Sequence, residues 1–366
     1  MLKVIVALVW GLILAAQAHA EGDVQPLNGI WTGTIGKLPV NVCLQVKDGE
    51  YNFGAYYYLS HLKLINLQTS DKGGWTEGTD EAKPDAVWTL KMAGGDTVSG
   101  SWVGNGKTFD VNLHRLAKLS GEDVDSPCGA NEFFKPRLTP PKITETPATL
   151  DGQPYTKVKV EAGKQFDAIL ETFKLPGKGA GIAAINKQLL EGVPQNGSAP
   201  GYVECLQQAT TMGRDGDYDV SLSPTVLTAH WLVVGSGDGS FCGGAHPANS
   251  SSEQVYDLRN GKALDLRTWF ASGIAAKDGK LSGKLESMVM KAFTDDKDNG
   301  EECAEAVKDN FGWDVSLAST GMSFTPELPY VSTACANAVV IGFKEAAEFL
   351  KPEGQKQLAE FHSELK

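Results

Sequence analysis

Between residues 27 and 116 apolar side chains recur at alternate positions in short runs, and nowhere with a helical period. The runs 31–35, 40–46, 51–59, 62–68, 73–77, 86–92, 97–103 and 108–113 are rich in β-branched and aromatic residues. Gly36–Lys37, Asp48–Gly49, Gly94–Gly95–Asp96 and Gly104–Asn105–Gly106–Lys107 separate them, and all are turn chemistry. About eight strands so closely spaced predict an up-and-down meander that closes as a small barrel or a sandwich. A barrel of that size either holds one small ligand, here against Trp31, Tyr56, Tyr58, Trp88 and Trp102, or is filled by those aromatics; filling is the simpler expectation.

From about 118 to 152 the alternation stops and Pro136, Pro140, Pro141 and Pro147 appear, which reads as a partly extended linker. Cleavage near Pro140–Pro147 would then release two folded pieces. Beyond it, strands are expected at 155–161, 202–212, 218–222, 227–234, 254–257 and 339–343, with Gly235–Ser236–Gly237–Asp238–Gly239 as a hairpin turn. Helices are expected at 181–190, where Leu281, Leu285, Met288 and Ala292 share a face, around Cys303–Val307, and over 352–366 with Pro352 in the first turn. Strands and helices without a βαβ repeat imply an α+β domain with a mainly antiparallel sheet. The organisation expected is a signal peptide at 1–20, a β-meander domain at 21–117, a linker at 118–152 and an α+β domain at 153–366.

The signal peptide rests on Lys3, a run of 13 apolar residues from Val4 to Ala16, and Ala18–His19–Ala20 before Glu21. Thirteen apolar residues are too few to span a bilayer, and no later stretch is longer, so a periplasmic or secreted protein without stable membrane insertion is expected. Export changes what the six cysteines mean. In an oxidising compartment Cys43, Cys128, Cys205, Cys242, Cys303 and Cys335 are expected to form three disulfides; fifteen connectivities are open to them, of which local pairing favours 43 with 128, 205 with 242, and 303 with 335. No C-x-x-C spacing supports a metal, and no cofactor is expected.

Lys plus Arg is 33 against 45 Asp plus Glu, a net charge of −12, which argues against nucleic-acid binding. The excess is uneven. Residues 21–120 carry 9 cations and 11 anions, and residues 121–366 carry 23 and 34. A cationic partner would be steered toward the second region.

Ile185–Asn186, Phe241–Cys242–Gly243–Gly244–Ala245–His246–Pro247 and Tyr256–Asp257–Leu258–Arg259–Asn260–Gly261–Lys262, continuing to Phe270, resemble the extracellular module of the lysozyme-sensing anti-sigma factors of the RsiV type. The same module resembles the N-terminal region of PdaC-type peptidoglycan deacetylases. The resemblance covers roughly 155–350 and implies an α+β recognition module of the cell envelope. It carries over neither sigma-factor binding nor deacetylase activity, since a membrane helix and a deacetylase domain have no counterpart here. The first region is similar only in pattern, through Gly29–Ile30–Trp31–Thr32–Gly33 and Gly54–Ala55–Tyr56–Tyr57–Tyr58, to lipocalin- and avidin-type barrels.

His246 stands between Gly-Gly-Ala and Pro with no Ser or Cys nucleophile at fixed spacing, so a backbone-bonded loop histidine is the first expectation. The second is recognition, with Phe241, Gly243, Gly244, His246, Pro247 and Tyr256 offered to a partner. Gly177–Lys178–Gly179–Ala180–Gly181 lacks a phosphate-loop spacing, and Asp296–Lys297–Asp298–Asn299–Gly300 lacks the ligands of a calcium loop. The expected function is a non-enzymatic binding protein of the bacterial envelope that recognises a lysozyme-like cationic protein. The alternatives are a peptidoglycan-binding module and a hydrolase working through His246.

Overall fold

The computed structural model describes residues 27–47, 52–70, 74–78, 83–163, 165–166, 168–191, 200–297, 299–308 and 312–365; the expected signal peptide lies outside the described residues. The chain is α+β. Its first part is a closed eight-stranded antiparallel barrel, with β1 (Gly29–Ile35), β2 (Leu38–Gln45), β3 (Phe53–Tyr58), β4 (Ile65–Thr69), β5 (Trp75–Glu77), β6 (Ala86–Gly94), β7 (Thr97–Gly104) and β8 (Lys107–Arg115) in sequential order. β8 pairs back onto β1, from Trp31 opposite Arg115 to Ile35 opposite Val111. Of the two closures expected, the barrel is the one formed. Inward positions carry Trp31, Val40, Val42, Leu44, Tyr56, Trp75, Trp88 and Val111, all buried, so the middle of the barrel is filled by its own side chains.

Residues 121–137 are not an extended linker. They fold into three short 3-10 turns around α1 (Asn131–Phe134) and pack against the closed wall of the barrel. The Cys43–Cys128 disulfide fastens them there, and the Tyr57 hydroxyl donates to the Phe133 carbonyl at 2.9 Å. Pro147 lies inside a strand, β9 (Lys142–Leu150), at the edge of a seven-stranded sheet, where its missing N–H costs no ladder bond.

That sheet runs β15-β14-β13-β12-β11-β10-β9, with β10 (Gln153–Glu161), β11 (Leu170–Lys174), β12 (Asp217–Leu227), β13 (Trp231–Phe241), β14 (Ala248–Asp257) and β15 (Lys262–Leu264). All its pairings are antiparallel except β11 with β12, which a crossover through α2 (Ala180–Glu191) and α3 (Pro200–Thr211) makes parallel. Residues 202–212, expected as a strand, form α3 up to Thr211 and a turn at Met212. Tyr202, Cys205, Leu206, Ala209 and Thr210 are buried at the i, i+3, i+4, i+7, i+8 spacing of one helical face. Gly235–Gly239, expected as a turn, runs straight through β13, held by ladders to β12 and β14 on both sides. The connecting turn falls instead at 228–230, where the Thr228 N–H donates to the Trp231 carbonyl at 2.9 Å.

The largest core lies between β12–β14 and a second, three-stranded sheet of β16 (Trp313–Ala318), β17 (Gly321–Pro326) and β18 (Val339–Gly342). α4 (Gly283–Asp295) contributes Leu285, Val289 and Phe293 to it, one residue per turn. α5 (Glu301–Lys308) and α6 (Phe343–Ala347) flank this layer, and α7 (Pro352–Glu364) closes it with Leu358 and Phe361. Asn186 on α2 accepts from the Leu175 N–H and donates to its carbonyl, at 2.8 and 2.9 Å, which pins the exit of β11. None of the described helices is long and apolar enough to cross a membrane.

Candidate functional site

The three expected disulfides are all formed, and two of them shape one end of the second unit. Cys205–Cys242 ties α3 to the end of β13, where the loop 242–247 begins. Cys303–Cys335 ties α5 to the 3-10 turn Tyr330–Cys335. The two anchored segments meet. The His246 imidazole stacks on the Tyr330 ring, centroids 4.7 Å apart and planes 22° apart, and His246 Nδ1 lies 3.1 Å from the Pro247 carbonyl oxygen.

Gly243 is required here. Its φ is +86°, and a Cβ would stand 3.0 Å from Ala209 Cα on α3 and from Met212 Cγ just beyond it. Gly244 is exposed and meets no such obstacle. The stacked pair is open to solvent and brings apolar side chains with it: Tyr330 is 42% and Val331 88% exposed, and Pro247 is exposed next to His246. Apolar side chains displayed on covalently anchored turns lose little entropy when covered, which suits recognition. No carboxylate or nucleophilic hydroxyl among the described residues is hydrogen-bonded to His246.

The other expected site residues divide. Phe241 ends β13 opposite Asp217 and is half-buried. Tyr256 is not part of this end. It lies eight residues along β14 from Ala248, about 26 Å away at strand rise, packed half-buried with the cluster under α2, and burial raises its phenol above the ordinary value. Tyr330 and Val331 had no motif to mark them.

Two further clusters draw on residues far apart in the chain. His230 Nδ1 meets Glu364 Oε1 at 2.6 Å, the Thr228 hydroxyl and the His230 N–H bond to Oε2, and Glu360 takes Arg259 at 2.7 Å. His230, Glu360 and Glu364 each offer one possible ligand atom, all within 4.8 Å of one another. Each is already committed, and Arg259 supplies the positive charge, so the group works as a clasp holding α7. The second cluster lines a pocket of about 240 Å³ between β14, β15 and β16, with Glu253, Asp265, Arg267 and Asp314. Burial pushes the Glu253 and Asp314 carboxyls above their usual range, against the Thr225 hydroxyl at Glu253 and the Arg267 guanidinium at Asp314. A carboxyl raised by folding adds stability that is whole below its ordinary value and is lost as pH climbs through the folded value. Glu253→Gln is therefore expected to flatten a decline in stability that begins at the ordinary carboxylate range and continues upward. Urea midpoints of wild type and variant between pH 4 and about 7 check this, and parallel curves would contradict it.

No protein-family model and no curated protein matches the sequence. Two solved structures, titled as DUF3298 family proteins, are distantly similar. One from Bacteroides fragilis is 14% identical, covers 63% of this chain and 97% of its own, with a TM-score of 0.39. One from Pseudomonas aeruginosa is 12% identical, covers 59% of this chain and 97% of its own, with a TM-score of 0.35.

Proposed function

We propose that the chain is an exported binding protein of the bacterial envelope whose disulfide-anchored end, formed by His246, Pro247, Tyr330 and Val331, takes hold of a lysozyme-like cationic protein. The observation that carries this reading is the stacked and solvent-exposed His246–Tyr330 pair, whose two loops are each tied to a helix by a disulfide. The RsiV-type resemblance supports the partner class, and the acidic excess beyond residue 120 supports its charge. The full chain is expected to bind lysozyme with an association rate that falls as salt is added. Tyr330→Ala and Val331→Asp, both on exposed positions, should each weaken binding at least about tenfold without lowering stability. Equal affinity for a basic protein of similar charge and different shape would reduce the effect to steering and sink the reading.

A second reading is favoured by one feature. A groove of about 370 Å³ on the seven-stranded sheet sets the hydroxyls of Thr144, Thr146, Ser221 and Ser223 beside the Tyr155 ring and the apolar Leu222 and Pro224. Such a lining suits a glycan. Retention on insoluble peptidoglycan, unaffected by Tyr330→Ala, would place this reading ahead.

A further inference from the structure

Glu77, the last residue of β5, is a buried carboxylate, 7% exposed, whose partners among the described residues include no cation. Three neutral donors converge on its Oε1: the Tyr56 hydroxyl at 2.8 Å, Trp88 Nε1 at 2.7 Å and Trp102 Nε1 at 2.6 Å. No hydrogen bond from a described residue goes to Oε2. Buried charges in proteins are ordinarily paired with an opposite charge, because neutral dipoles replace only part of the hydration lost.

The position of this group matters as much as its charge. Glu77 pairs with Ala86 and Ala86 with Gly104, the residues at which β5, β6 and β7 end or begin, so the carboxylate sits at one mouth of the barrel. Gly104 keeps the place open for Trp102, since a Cβ there would stand 2.8 Å from the Trp102 ring. Above the carboxylate the mouth is aromatic and reached by solvent. Trp102 and Tyr58 are half-buried, Phe109 is 40% exposed and packs on Trp102 at 5.6 Å, and Leu38, the first residue of β2, is 55% exposed. Tyr58 meets Tyr56 edge-on at 5.5 Å. Aromatic surface around an uncompensated carboxylate matches a compact organic cation, whose charge the carboxylate neutralises and whose methyl or methylene shell the rings cover.

We propose that the barrel mouth at Glu77, Tyr58, Trp102 and Phe109 is a binding site for an organic ammonium group. The site is independent of the His246–Tyr330 end, and its failure would leave the protein-binding reading untouched. The indole N–H groups of Trp88 and Trp102 touch Glu77 directly, so their resonances report on the site in the full chain. Tetramethylammonium chloride is expected to shift both signals saturably, whereas tert-butanol, similar in size and uncharged, and sodium chloride at equal strength should not. Glu77→Gln keeps an acceptor for the three donors and should weaken the cation at least tenfold. Tyr58→Leu, which leaves the carboxylate in place, should weaken it several-fold and decides the matter if Glu77→Gln does not fold. Absence of a saturable shift, an equal response to tert-butanol, or unchanged binding by both variants would overturn the proposal.

Discussion

Arg137→Ala is expected to cost about 3–5 kcal/mol of stability, the range found when one partner of a buried ion pair is removed. The Arg137 side chain is fully buried where three parts of the chain meet. Nε donates to the Leu62 carbonyl on the barrel at 2.9 Å, Nη1 to the Thr210 hydroxyl on α3 at 2.9 Å, and Nη2 pairs with Asp215, which also accepts from the Leu64 N–H at 3.3 Å. The guanidinium lies over the Phe166 ring, 4.9 Å from its centroid. Loss of the side chain strands the Asp215 carboxylate, whose side chain is only 21% exposed, and leaves the Leu62 carbonyl without its donor. Arg137→Lys keeps the charge but not the three-way fork, so an intermediate loss is expected. Replacing both members by apolar residues should recover much of the deficit. Urea midpoints of the full chain measure all three variants, and an Arg137→Ala loss below about 1 kcal/mol would show that this junction does not hold the units together.

The junction explains which features could be read from the residues and which could not. The barrel strands announce themselves because alternation and turn residues are local, and the disulfide partners because each bridge joins two cysteines that follow one another in the sequence. β9 was concealed by its position. It is an edge strand with most side chains exposed on both faces, so no alternation distinguishes it from an extended linker, and an edge accepts Pro147. The α3 segment is a different case, since its buried face follows the helical period while Val203, Thr210 and Thr211 carry the β-branched side chains that are common in strands. Arg137 and Asp215 are 78 residues apart, and the donors to Glu77 are 21, 11 and 25 residues from it, separations at which no motif exists. His246 could be singled out between glycine and proline, whereas Tyr330, the ring it stacks on, carries no mark of its own.

The second large effect concerns the disulfide that holds the same junction. Among the three, Cys43–Cys128 closes the longest loop, with a separation of 85 residues against 37 and 32. Chain-entropy arithmetic assigns it about 4.5 kcal/mol and the others nearly 4 each, because closure entropy grows only with the logarithm of length. Loop length alone therefore separates them by less than 1 kcal/mol. Burial separates them further: Cys43 and Cys128 are fully buried among Ile30, Ala55, Tyr57 and Phe133, whereas Cys242 and Cys303 are partly exposed. Cys43→Ala with Cys128→Ala should thus lose the most, about 4–5 kcal/mol once the packing of the two sulfurs is counted. The loss should fall on the contact between barrel and α1, because the Tyr57 and Phe133 rings pack at a tilt beside the bridge, 5.1 Å between centroids. Hydrogen exchange of the Phe133 and Phe134 amides, which donate to the Ala130 carbonyl at 3.0 and 2.9 Å, should accelerate more than exchange at α4. A uniform acceleration across the chain would instead mean that the bridge acts on the unfolded state alone, and that the α1 segment is held to the barrel by its hydrogen bonds and packing without it.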